Sequence, residues 1–430
     1  MTPAPARPYP PLSLAFAVWG LGAALYCVGF FHRVAPAVIT RELVAEFDLT
    51  AAALGNLSAF YFYSYVAMQV PTGMLADRFG PRRILAAGAA GAAAGGLLFA
   101  GTESLALVSL GRLLVGASVG VAFVAMMKLS THWFHPSRFA VVAGLALGTG
   151  LAGAVGAGAP LRWLSDAFGW RSVMLAVAAA TAAIAIAIWL VVRDDPSARG
   201  YASYSPGTPP GVQPRSMLGG LARVLGSRNV VLICFVNGGI SGPVLTFGGL
   251  WGVPFLASHY GLSAAAAAGF CSLLLGAWGI GGPLLGALSD RFGNRKRCYV
   301  GATAIGAFGW TVLLTVPGLP LAALGALLAL VGLASGALMI GFAYAKESAP
   351  AELAGTTGGV VNVGGMIAPM LMQPAVGWVL DRLWDGALAD GARVYSFSAY
   401  RWGFALMLAW LIASVLAAAV TRETHCRQLP

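Results

Sequence analysis

Long apolar runs alternate with short polar breaks along almost the whole chain. About 20 apolar residues in a helix cross about 30 Å of hydrocarbon. Windows of that size predict twelve membrane-spanning helices, near 13–36, 54–75, 84–101, 105–128, 139–160, 170–192, 229–256, 263–288, 299–316, 320–345, 355–380 and 402–421. The longest interruption, 193–228, contains Pro206, Gly207, Pro209, Pro210, Gly211 and Pro214, which forbid regular structure through its middle. It reads as a linker between two six-helix halves, 1–192 and 229–430. The other long polar stretch, 381–401 with Asp381, Asp385, Asp390 and Tyr395, reads as a partly ordered cap without an assignable role.

One polar break occurs twice. The run from Gly73 through Asp77, Arg78, Gly80 and Arg82 to Arg83 returns 213 positions later, from Gly286 through Asp290, Arg291, Gly293 and Arg295 to Lys296. A charged loop repeated at half-length between apolar runs indicates two similar membrane bundles in tandem, the ground plan of an alternating-access transporter. In each copy an Asp closes an apolar helix and an Arg cluster follows. An acid at a membrane boundary is costly unless paired, and the Arg cluster or the positive end of a neighbouring helix can pair it. The loops are therefore expected to lock the two bundles together on the inner side.

Composition agrees. Of 430 residues 58% are hydrophobic and 10% charged, against about 25% charged in soluble domains. Mean hydropathy is +0.79. The 58 glycines spread through the apolar runs suit close helix approach in lipid. The net charge of +11 falls in short loops, so topology explains it better than nucleic-acid binding. Lys and Arg concentrate on the side that holds both termini, which places the termini in the cytoplasm of a plasma (inner) membrane protein. Cys27, Cys234, Cys271, Cys298 and Cys426 have no paired spacing and read as small apolar residues. No cleavable signal peptide is evident. No Ser-His-Asp set, metal cluster or Walker loop appears, so neither an enzyme nor an ATP-driven pump is expected, and no cofactor. A membrane sensor would call for an appended signalling domain, which neither end shows. The chain is expected to work as a monomer.

Charges inside the spans are the informative ones, because each is costly there. Arg33 lies in the first span toward its outer end, Arg112 in the fourth, and Lys128 near the inner end of the fourth. No carboxylate lies clearly within a span. A positive cavity without an acid favours an anionic substrate, and an Arg fork suits a carboxylate or phosphate. Plainer readings are snorkelling for Arg33, a structural role for Arg112 and an inner-edge anchor for Lys128. His32 adjoins Arg33 and is a proton-coupling candidate, though neighbours on a helix point about 100° apart. Tyr61, Tyr65 and Gln69 follow one another by a turn on the second span. Asn237 in the seventh and Asn362 in the eleventh add amides that either orient a ligand or join helices, as do Gln373 and Trp251.

The Gly73–Arg83 loop, its echo, and Arg112 followed by Gly116 resemble the major facilitator superfamily over essentially the whole chain. The resemblance implies an all-α membrane fold of two six-helix bundles about a central site lined by the first, fourth, seventh and tenth spans. Phe31 to Pro36 looks like the first-span Asp-Arg segment of the anion:cation symporter group. Lys128 to Phe134 is similar to the end of its fourth span, and to glycerol-phosphate-type carriers. Asn362 to Pro369 resembles its eleventh-span Asn-Gly-Pro segment. In that group the first-span Arg and the eleventh-span Asn contact substrate, which implies such roles for Arg33 and Asn362. The group's Asp is His32 here, so its acid-based proton coupling does not carry over. The fifth-span glycine-proline run of drug:proton antiporters is matched poorly by Gly153 to Arg162. The leading expectation is proton-coupled uptake of a small organic anion. An organophosphate antiporter and an exporter of drugs or siderophore-like metabolites are the alternatives.

Overall fold

The computed structural model describes residues 8–205, 217–350, 353–389 and 392–428. It is built of helices, because lipid leaves a backbone no partner but itself. Among the described residues eleven helical runs are long and apolar enough to cross a membrane: Leu12–Val38, Pro81–Ala100, Leu105–Trp133, Pro136–Gly156, Trp170–Val191, Arg228–Tyr260, Ala264–Phe292, Arg295–Thr315, Leu321–Glu347, Ala354–Arg382 and Phe397–Ala419. The second of the twelve expected spans is the helix Ala51–Phe79, bent 117° from the short helix Thr40–Phe47 that precedes it. The spans are numbered one to twelve below. With an even number, both chain ends share one face, here the terminal face; the opposite one is the far face.

The halves repeat more than the loop. The fourth span breaks at Gly120, between Leu105–Val119 and Ala122–Trp133, and the tenth at Gly336, between Leu321–Ser335 and Ala337–Glu347. Pro243 removes a backbone donor inside the seventh span, and the helix widens soon after into a π turn at Phe247–Trp251. Two helices of the far face were not anticipated. Thr40–Phe47, and Ala159–Phe168 beyond its first two residues, lie in segments expected as loops between spans. Both are amphipathic. Arg162 pairs with Glu42 at 2.6 Å and with Asp166, and Arg171 pairs with Glu46, so Thr40–Phe47 is tied to its own bundle.

The linker is ordered at both ends. Ala202 N–H donates to the Pro8 carbonyl (2.8 Å), Tyr9 stacks on Tyr204, and Met217–Gly226 is helical. Its proline-rich middle, Pro206 to Pro214, lies outside the described residues. The cap after the eleventh span contains a two-residue antiparallel pairing, Leu388 opposite Arg393; Asp390 lies outside the described residues. The bundles meet where the second span lies along the eleventh, the first meets the π turn of the seventh, and the fifth meets the eighth.

Candidate functional site

Two stripes face each other inside the first bundle. Tyr26, Phe30 and Arg33 recur at i, i+4 and i+7 on the first span, and Tyr61, Tyr65 and Gln69 at i, i+4 and i+8 on the second. The Arg33 guanidinium lies 4.3 Å from the Phe30 ring centroid, 5.2 Å from Tyr65 and 5.7 Å from Tyr61. Arg33 is 3% exposed, so it does not snorkel to an aqueous surface. Its Nε has no hydrogen-bond partner, and among the described residues no carboxylate pairs with it. The aromatic faces offer partial negative charge, which attracts the cation without neutralising it.

Arg112 stands behind this group. Its Nη1 donates to the His32 carbonyl (2.6 Å) and its Nη2 to the Ser58 carbonyl (3.1 Å). The Tyr61 ring separates the two guanidinium groups, lying 5.3 Å from that of Arg112. Tyr61 is fixed at its other end, where its hydroxyl donates to the Gly29 carbonyl (3.0 Å). Gly116 makes this approach possible, since a Cβ there would collide with the Tyr61 carbonyl and the Ser64 hydroxyl. Arg112 thus binds backbone through both its Nη groups and shapes the first span; its Nε, like that of Arg33, is buried without a partner.

About one turn further along the second span, Asn362 Nδ2 donates to Gln69 Oε1 (2.9 Å) across the boundary between bundles. Gln69 Nε2 is buried without a partner. The structure therefore gathers Arg33, Tyr61 and Tyr65, sets Arg112 behind them and places Gln69 with Asn362 beside them. Tyr26 and Phe30 complete the aromatic wall. Their spacing from Arg33 was the available signal.

Other expected site residues lie elsewhere. The His32 ring is buried and turns toward Gly96 of the third span, and its Nε2 has no partner. Lys128 donates to the Ala76 carbonyl (2.9 Å) near the terminal face. Asn237 is buried inside the second bundle, where its Oδ1 accepts from the Tyr299 hydroxyl (2.6 Å), and it joins helices there.

Each repeated loop is fastened to its own bundle by an acid that sequence reading did not single out. Gly80 turns with φ +80°, and the next helix starts with Arg82 N–H donating to Asp194 (2.6 Å). The Arg82 guanidinium grips the Trp189 carbonyl (2.7 Å) and lies over its ring. In the second copy Gly293 has φ +58°, and the N–H groups of Arg295 and Lys296 donate to Glu423 (3.0 and 2.8 Å). Arg295 also pairs with Asp290 (2.5 Å) and Glu347 (2.8 Å). Asp290 thus finds the Arg partner expected of it, but inside one bundle. Arg78 lies over the Phe79 ring, and Gly73 has open space on its Cβ side. The side chain of Asp77 lies outside the described residues.

A model of the Major Facilitator Superfamily matches residues 12–373. The chain is 32% identical over 168 residues to YybO of Bacillus subtilis (strain 168), named an uncharacterized transporter; the match covers 39% of this chain and 38% of YybO. The chain thus spans about two fifths of that relative's length. A longer match, 24% identical over 395 residues, covers 83% of this chain and 82% of a protein of Agrobacterium vitis provisionally named a tartrate transporter. The crystal structure of a bacterial homolog of the human lysosomal transporter Spinster has the same fold, with TM-score 0.75, 17% identity, and coverage of 96% of this chain and 98% of that one.

Proposed function

The chain belongs to the Major Facilitator Superfamily, and from that premise we propose that this multi-pass membrane transporter moves a small organic anion through a central site by alternating access. The observation that carries the reading is Arg33: buried, walled by aromatic rings and without a carboxylate partner among the described residues. A guanidinium in a low-dielectric interior is held at a cost of about 3 kcal/mol or more. A carboxylate on the permeant offsets that cost through a bidentate pair. Gln69 and Asn362, beside that pair and on opposite bundles, hold a second polar group of the same molecule. The name of the Agrobacterium vitis relative, provisionally a tartrate transporter, supports this class of substrate. The Lys and Arg bias supports termini in the cytoplasm of the plasma membrane. Uptake is driven by protons and the monomer is the working unit in this reading.

The test is uptake of labelled mono- and dicarboxylates into proteoliposomes, with and without a pH gradient. Uptake of at least one carboxylate that Arg33→Gln abolishes supports the site. Uptake of every anion surviving that substitution rejects it. Transport of lipophilic cations with anions ignored replaces this reading by export.

A further inference from the structure

Asp381 closes the eleventh span at the far face, and its carboxylate reaches into the other bundle. Its two oxygens accept from the first two N–H groups of the second span, Ala51 (3.0 Å) and Ala52 (2.8 Å). Thr50 Oγ1 accepts the next, from Ala53 (3.2 Å). The first N–H groups of a helix have no intrahelical acceptor, and they form the positive end of its dipole. Here two of three are satisfied by a negative charge borrowed from the opposite bundle.

The acid is steadied from its own side. Tyr395 donates its hydroxyl to Asp381 (3.0 Å), and Arg393 approaches at 3.3 Å. Both belong to the segment after the eleventh span. Burial first, and then the adjacent carboxylate, push the Tyr395 hydroxyl above its ordinary value, so it remains a donor. The backbones touch on either side of this contact. A Cβ on Gly55 would collide with the backbone of Gln373 and Pro374, and one on Gly377 with that of Ala51.

We infer that Asp381 is a clamp that holds the far face shut, and that its two bonds to Ala51 and Ala52 break whenever the bundles part on that face. This rests on the alternating-access reading above. It gives the cap at 381–401 a role: Arg393 and Tyr395 keep the carboxylate aimed across the seam. The glycines allow the approach, and the acid makes it selective for the closed state.

The test is the distance between spin labels at Ala45→Cys and Arg401→Cys, one on each bundle near the far face, in a background without the five native cysteines. Asp381→Asn is expected to raise the far-face-open population about tenfold. An unchanged distance distribution overturns the clamp. Should that variant fail to fold, hydrogen exchange on the wild-type protein decides. Amides 51 and 52 slowed about tenfold or more below the free-chain rate support the clamp, and free-chain exchange overturns it. The labels report opening whether or not an anion is carried. A failed clamp therefore leaves the anion reading standing, and absence of anion uptake leaves the clamp standing.

Discussion

Arg112 Nη1 donates to the carbonyl of His32, the residue immediately before Arg33. A charge on the fourth span thereby sets the backbone position of the charge on the first. With its second donor on the Ser58 carbonyl, Arg112 ties three helices at one point. Arg112→Lys keeps the charge and loses the fork. Hydrogen bonds to charged groups are worth about 1.5–3 kcal/mol, so the variant should melt several degrees lower and transport about tenfold or more slowly. Thermal unfolding in detergent and initial uptake rates check this. Wild-type values in both would show that Arg112 does not position Arg33.

Gln69 and Asn362 form one unit across the bundle boundary. Gln69→Ala and Asn362→Ala should each change the order of preference among carboxylates bearing different second polar groups. The double variant should lose little more than either single one, because partners in a shared bond are not additive. Competition uptake with the four proteins measures the coupling. Strict additivity would separate the two residues.

Asn237 offers the opposite case. Its Oδ1 receives the Tyr299 hydroxyl inside the second bundle. Asn237→Ala leaves the buried Tyr299 hydroxyl only its longer contact, 3.5 Å, to the Ile233 carbonyl, at a cost of about 1 kcal/mol. The expected outcome is a lower melting temperature with unchanged anion affinity, read by thermal unfolding and by ligand-induced shifts in it. An affinity lost in proportion would bring Asn237 into the site.

On the far face, the hydrogen bond from Arg162 holds the Asp166 carboxyl below its ordinary value. A carboxylate depressed in the folded state contributes stability above its unfolded pKa of about 3.9. That contribution is lost as pH falls through the lower folded value. Wild type and Asp166→Asn should therefore differ in unfolding temperature at pH 7 and 5 and converge below about pH 4. Asp166 is well exposed, so the difference is small. Melts across that range check the sign, and divergence on acidification would reverse it.

The spans and the doubled loop were legible because hydropathy and repetition are local properties of the chain. The absence of acids from the spans around Arg33 was legible for the same reason, since no Asp or Glu interrupts the apolar runs; its burial was not, because a snorkelling side chain has the same sequence. Thr40–Phe47 and Ala159–Phe168 escaped because short amphipathic helices at a membrane boundary carry no long apolar run. Tyr26 was overlooked although its spacing from Arg33 put both on one stripe. Asp194, Glu423 and Asp381 each satisfy helix N-termini far away in sequence, and only the packed chain brings such partners together. Asn237 and Asn362 look alike as sequence, each an amide in an apolar span. Whether such a residue meets its own bundle or the other depends on helix rotation, which spacing alone leaves open.

On the proposed proton-coupled uptake, the lone guanidinium on the first span also bears on how voltage acts on the transport cycle. An elementary charge crossing 100 mV changes energy by about 2.3 kcal/mol. A monoanion that enters with one proton leaves the empty and the loaded carrier with the same charge, so the membrane potential cancels over such a cycle. A dianion entering with one proton carries net negative charge, and an inside-negative potential opposes it.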